Sequence, residues 1–98
     1  MLRAIHLLDF EEFRAQRIAG SFYAAPEGTR GEWVFWYCCP CGCGVIAPLS
    51  VGANFKPPSS PSWNWNLSKS EPTLSPSVNH KGHWHGWLRD GYWAEAQS

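Results

Sequence analysis

Positions 38 to 43 read Cys38-Cys39-Pro40-Cys41-Gly42-Cys43 and hold all four cysteines of the chain. A disulfide between Cys39 and Cys41, or between Cys41 and Cys43, would close a small strained ring and tie no distant parts of a fold together. The opening stretch MLRAIHLLDFEEF lacks a sustained apolar region behind a basic start, and no later window approaches the ~20 apolar residues of a membrane-crossing helix. The expected location is the cytoplasm, with no membrane partner, where thiols stay reduced and clustered cysteines point to a metal or to redox chemistry. Gly42 and Gly44 permit the tight turns that gather thiolates around one cation, and Pro40 stiffens the segment. In an extended segment Cys39, Cys41 and Cys43 project to one side.

A second cluster lies far along the chain, with His80, His83 and His85 inside six residues and His6 isolated near the start. Zinc takes four ligands from thiolates and imidazoles, and a structural site draws them from two separate turns, fastening distant parts of the chain together. The expected ligands are Cys39, Cys41, Cys43, His83 and His85, of which four would be used. His83 and His85 share a side of a strand, whereas His80 and His83 have the spacing of a turn. Cys38 and Cys41 have zinc-knuckle spacing, so the choice among these seven residues stays open. An iron–sulfur cluster is the rival cofactor, but the cysteines are spaced too tightly for common clusters.

Between these clusters the chain reads as mainly β, a small α+β domain of antiparallel strands and hairpins with one short N-terminal helix, stapled by zinc. At 98 residues it is expected to be one metal-binding domain, residues 1–98. Asp9, followed by Glu12, offers a capping box for a helix that Gly20 would end. GEWVFWYCC is the strongest strand, apolar on both faces and therefore central. Val45 to Val51 returns as its hairpin partner, and residues 54–62, with KPPSSPS, form a long exposed loop. SWNWNL and GHWHGWL are further strands, with a tight turn at Asp90 and Gly91 into the last one. Five to seven strands result, and the tail 95–98 is expected to fray.

CPCGCG at Cys39 to Gly44, PTLSPSV at Pro72 to Val78, and GHWHGWLRDGYW at Gly82 to Trp93 occur in an order that resembles a family of small uncharacterised proteins of bacteria and their phages, sometimes mislabelled ammonia monooxygenase. The resemblance covers roughly residues 21–93. It implies a compact, zinc-containing β domain, in host cytoplasm where the gene is a phage's, and no established reaction. Many members carry a cysteine just before the histidine of the last motif, where this chain offers His80 or Gly82 in the neighbourhood.

A catalytic zinc needs an open position and a nearby proton carrier. Glu71 and Asp90 read as solvated turn residues, and Ser75 and Ser77, on either side of Pro76, read as turn hydroxyls without a base. Eight basic residues against eight acidic ones argue against nucleic acid as partner. Most of the seven tryptophans are needed for a thin core. The expectation is therefore a zinc-stabilised, non-enzymatic phage or bacterial accessory protein acting by protein–protein interaction, of unassigned oligomeric state. The alternatives are a small zinc-dependent hydrolase, a minor virion component and a nucleic-acid-binding zinc module.

Overall fold

The computed structural model describes residues 1–96. Along the chain come β1 (Leu2–Arg3), β2 (Ile5–His6), α1 (Phe10–Gln16), β3 (Ser21–Glu27), β4 (Glu32–Cys38), β5 (Ile46–Ala53), β6 (Trp63–Trp65), β7 (Leu74–Ser75), β8 (Val78–His80), β9 (Trp84–Arg89) and β10 (Tyr92–Glu95). They form a four-stranded sheet in the order β1-β10-β9-β8 and a six-stranded sheet in the order β2-β3-β4-β5-β6-β7. Pairing is antiparallel except between β2 and β3 and between β5 and β6. The mainly β architecture with one short helix matches the sequence pattern, although the strands are shorter and more numerous than that pattern suggests.

The core lies between the two sheets because alternating side chains of each sheet are apolar. On β4, Phe35 and Tyr37 turn inward and are buried. They meet Phe22, Leu49, Val51, Trp65 and Leu74 of the larger sheet, and Val78, Trp84, Leu88 and Trp93 of the smaller one. Phe22 and Phe35 stack at 4.8 Å, and Trp65 meets Phe35 edge-on at 5.6 Å. Each such side chain, fully buried, contributes about 1.5–3 kcal/mol relative to exposure. On the opposite face α1 packs against β3 and the neighbouring part of β4, where Phe10 meets Tyr23 at 5.6 Å and Trp36 at 5.2 Å, both edge-on.

Several local expectations are corrected. The helix stops at Gln16, before Gly20, because Arg17 takes a left-handed conformation and its guanidinium donates to the Gly44 carbonyl at 2.7 Å. Asp9 is the N-cap but makes no side-chain capping bond, and Glu12 instead accepts from Gln16. The 54–62 segment is a loop, yet Pro57 and Ser62 within it are buried, with Ser62 Oγ donating to the Pro57 carbonyl at 2.7 Å. Of the tail, Glu95 ends β10 and the Ala96 N–H donates to the His85 carbonyl at 2.7 Å; residues 97–98 lie outside the described residues. The turn at Asp90 and Gly91 is as expected, both residues having positive φ.

Gly86, in the middle of β9, admits no side chain: a Cβ there would collide with the Ala94 carbonyl and lie 2.6 Å from the Trp84 ring. Gly86→Ala should therefore destabilise the fold by roughly 1–3 kcal/mol, typical of overpacking. The thermal midpoint should fall by at least about 4 °C, given the size of the domain; an unchanged melting curve would contradict the packing described.

Candidate active site and thiol cluster

The chain passes from the outer strand of one sheet to the outer strand of the other between β7 and β8, and Ser77 lies in that passage. Its carbonyl accepts the indole N–H of Trp63 at 3.1 Å, which ties this short crossing to β6. β8 then pairs with β9 in a register that sets Val78 against Gly86, Asn79 against His85 and His80 against Trp84. Alternation buries Val78, Trp84, Gly86 and Leu88 and leaves Asn79 and His85 on the outer face. There the Nε2 atom of His85 lies 3.1 Å from the Ser77 hydroxyl oxygen.

Two open clefts flank this pair and share Trp87 as a wall. One, of about 470 Å³, runs past Ser75, Pro76 and Ser77 to Arg89 and Asp90; the other, of about 550 Å³, is lined by Asn79, His83, His85 and Glu95 among others. The Arg89 guanidinium stacks on the Trp87 ring at 5.0 Å, bringing a cation to the first cleft. A hydroxyl in contact with an imidazole in an accessible cleft is the arrangement of a nucleophile and its general base. Glu71 has no part in it: its carbonyl accepts from Asn66 and its N–H donates to Ser68, within a neighbouring turn.

Ser77, which reads from the sequence as a turn hydroxyl, and His85, which reads as a candidate metal ligand, meet because β8 and β9 form a hairpin. The signal was present in SVNHKGHWHGW, where a turn at Lys81 and Gly82 makes a strand of the residues just after Ser77. Continued by one residue, the pairing brings Ser77 level with Trp87 and diagonal to His85, within side-chain reach.

The cysteine turn forms a separate group. The thiol sulfurs of Cys39, Cys41 and Cys43 all lie within 4.8 Å of one another, with Cys39 and Cys41 3.1 Å apart. Metal–sulfur bonds of about 2.3 Å in a tetrahedron separate sulfurs by about 3.8 Å, so this donor set fits a thiolate-bound metal ion. The turn is held by the Cys39 N–H donating to the Val45 carbonyl at 2.9 Å and the Gly42 N–H donating to the Cys39 carbonyl at 3.1 Å. Gly42 and Gly44 have positive φ there, as close approach of the thiols requires.

Burial, with help from the neighbouring thiols, pushes the Cys39 thiol up to about 12, whereas hydrogen bonds from Cys39 and Cys43 hold that of Cys41 below its ordinary value. Burial first, then Cys39 and Cys43, pushes the Tyr37 phenol up to about 12. Ionised together, three thiolates so close would need a counter-charge, which a bound cation would supply. Among the described residues, neither His83 nor His85 joins this group. His83 instead stacks on His80 at 4.6 Å, and His85 contacts Ser77. Cys38 is buried and outside the trio, near enough for Cys43 to raise its pKa, an effect second to that of burial.

Residues 9–96 match the model of a family described as Bacterial ubiquitination-like system serine protease (BubE). A search of curated proteins finds no match, and neither does a search of solved structures. The family description overturns the expectation of a non-enzymatic accessory module, since it names a proteolytic activity carried by a serine.

If the thiol trio holds an ion, protein isolated without added metal should carry about one equivalent by elemental analysis. Cys41→Ser and Cys43→Ser should each lose most of it, while His85→Ala should keep it. Loss of metal in His85→Ala at unchanged fold would place that imidazole among the ligands.

Proposed function

We propose, for a chain that belongs to the bacterial ubiquitination-like system serine protease (BubE) family, that Ser77 is the nucleophile and His85 the general base of a peptide-bond hydrolase. The single observation that carries this assignment is the 3.1 Å contact between Ser77 Oγ and His85 Nε2 beside accessible clefts. In the reaction, His85 Nε2 takes the hydroxyl proton as Ser77 Oγ attacks the scissile carbonyl carbon, giving a tetrahedral oxyanion. The carbon–nitrogen bond then breaks as His85 returns the proton to the departing amine, leaving an ester on Ser77. Water, deprotonated by the same imidazole, hydrolyses that ester and restores the hydroxyl.

The substrate in this reading is a protein of a ubiquitination-like system, presented to the cleft as an extended segment. Two features support that. Among the described residues β8 is the last strand of its sheet, and no strand pairs with one of its edges. The His85 carbonyl is bonded to Ala96 on the β10 side, so the pair Asn79–His85 is of the type without backbone bonds between partners. The N–H and C=O of Asn79 therefore point out from the sheet, where an extended peptide can pair with them. Trp87 offers an apolar platform between the two clefts, and Arg89 a cation for a carboxylate of the substrate.

Zinc is the ion that best suits the Cys39, Cys41 and Cys43 thiols, which are soft donors gathered in one turn. It would supply folding free energy to a small domain rather than chemistry at Ser77. Cys39 belongs to the core between the sheets, whereas His85 lies on the outer face of the smaller sheet. No helix of the structure is long and apolar enough to cross a membrane.

Ser77→Ala should abolish covalent labelling by a fluorophosphonate probe and reduce cleavage of a ubiquitin-like substrate by at least about 10³-fold, with the melting temperature unchanged. Ser75→Ala should label like the wild type. Labelling that persists in Ser77→Ala and disappears in Ser75→Ala would move the nucleophile to the other side of Pro76.

A further inference from the structure

The general-base role of His85 requires a neutral ring with the free lone pair on Nε2, toward Ser77, and hence the proton on Nδ1. A solvent-exposed imidazole has no built-in reason to hold that tautomer or to keep Nε2 turned toward the hydroxyl. Something must accept from Nδ1.

From this geometry we infer that Asn79 is the positioning residue of the Ser77–His85 pair, its side-chain carbonyl accepting the Nδ1 proton of His85; the inference rests on the assignment of that pair as the hydrolytic one. Asn79 stands directly opposite His85 in the β8–β9 register, and both side chains lie on the exposed outer face and line one cleft. Because the His85 carbonyl is engaged by the Ala96 N–H, the two residues form a non-hydrogen-bonded pair. In such a pair the Cα atoms approach to about 4.5 Å and the side chains lie closer than in the alternating pairs on either side. An amide oxygen two bonds beyond Cβ reaches the near nitrogen of an imidazole across that distance. Among the described residues, the only hydrogen bond of the His85 ring is the one from Nε2 to Ser77, and the Asn79 side chain has none. Both groups are exposed and without a protein partner at those atoms, and their polarities are complementary.

The other groups around the ring are less suited. Glu95 of β10 lines the same cleft but pairs with Gly86, one position along from His85, and so alternates to the opposite face. His80 of β8 faces inward, opposite Trp84. His83, in the hairpin turn, stacks on His80. Arg89 and Asp90 line the other cleft. Asn79 is the acceptor that requires no change of fold, and being neutral it orients the ring without adding a charge that would favour the protonated imidazole.

The test uses the full chain and a fluorophosphonate probe, with Ser77→Ala as the blank. Asn79→Ala should keep the wild-type melting temperature yet phosphonylate Ser77 at least about tenfold more slowly, since it loses orientation of the base. Nitrogen-15 NMR of the His85 ring should show the Nδ1–H tautomer in the wild type and a shift toward Nε2–H in Asn79→Ala. Asn79→Asp should recover labelling and raise the pH midpoint of the reaction by about one unit or more, because a carboxylate there favours the charged ring. Neither change is expected of a residue that only supports the strand. If the wild type labels at Ser77 and Asn79→Ala labels at the same rate with the same tautomer, the positioning role is overturned while the hydrolytic pair stands. A wild type that fails to label overturns both, for no base then remains to be held.

Discussion

The pairing of β8 with β9 is the constraint on which the site depends. Its register puts Val78, His80, Trp84, Gly86 and Leu88 on the inward face and Asn79, His85 and Trp87 on the outward one. A slip of one residue would bury the imidazole and expose Trp84 and Leu88, so the apolar core enforces the position of a polar group it does not touch. Gly86 tightens that coupling. It sits between His85 and Trp87 on the strand, under the Trp84 ring, and leaves the register little room to adjust.

The chain crosses from one sheet to the other immediately before this hairpin, and that short crossing presents a serine to the imidazole. The Trp63 indole, bonded to the Ser77 carbonyl, carries the rigidity of β6 into a segment that has no ladder of its own. The site is thus assembled from the outer strand of one sheet, the first two strands of a hairpin in the other, and a single tryptophan that joins them. A group placed on a paired strand, as His85 is, loses little freedom on binding a ligand, because that freedom was already given up in folding.

The thiol turn between β4 and β5 belongs to a different part of the architecture. Its inward member, Cys39, is in the core beside Tyr37, and Tyr37 in turn packs against Trp93 and His80. A cation held there would fix the end of the central hairpin of the larger sheet and brace the inner face of the smaller one. A domain of this length buries too little apolar surface to be indifferent to such a staple. In the proposed reading, support of the fold and chemistry at the serine fall to different residues, although histidines and cysteines invite the idea of one shared centre.

Taken alone, the sequence determined most of the local structure: the central strand from Glu32 to Cys38 with its return through Leu49 and Val51, the tight turn at Asp90 and Gly91, the helix opening after Asp9, and the approach of Cys39, Cys41 and Cys43. Each depends on neighbours in the chain, on period-two alternation, on a residue able to take positive φ, or on three thiols in one turn. Ser77 and His85 were legible only as residues, not as a pair. Their meeting depends on the register of β8 against β9 and on where the chain leaves β7, which the packing of Trp65, Leu74, Val78 and Trp84 between two sheets decides. Serine and histidine are common in turns and strands, and composition does not distinguish a hydroxyl facing solvent from one facing a base. Tertiary structure did so by burying every second residue of the hairpin, which left the others to line the cleft.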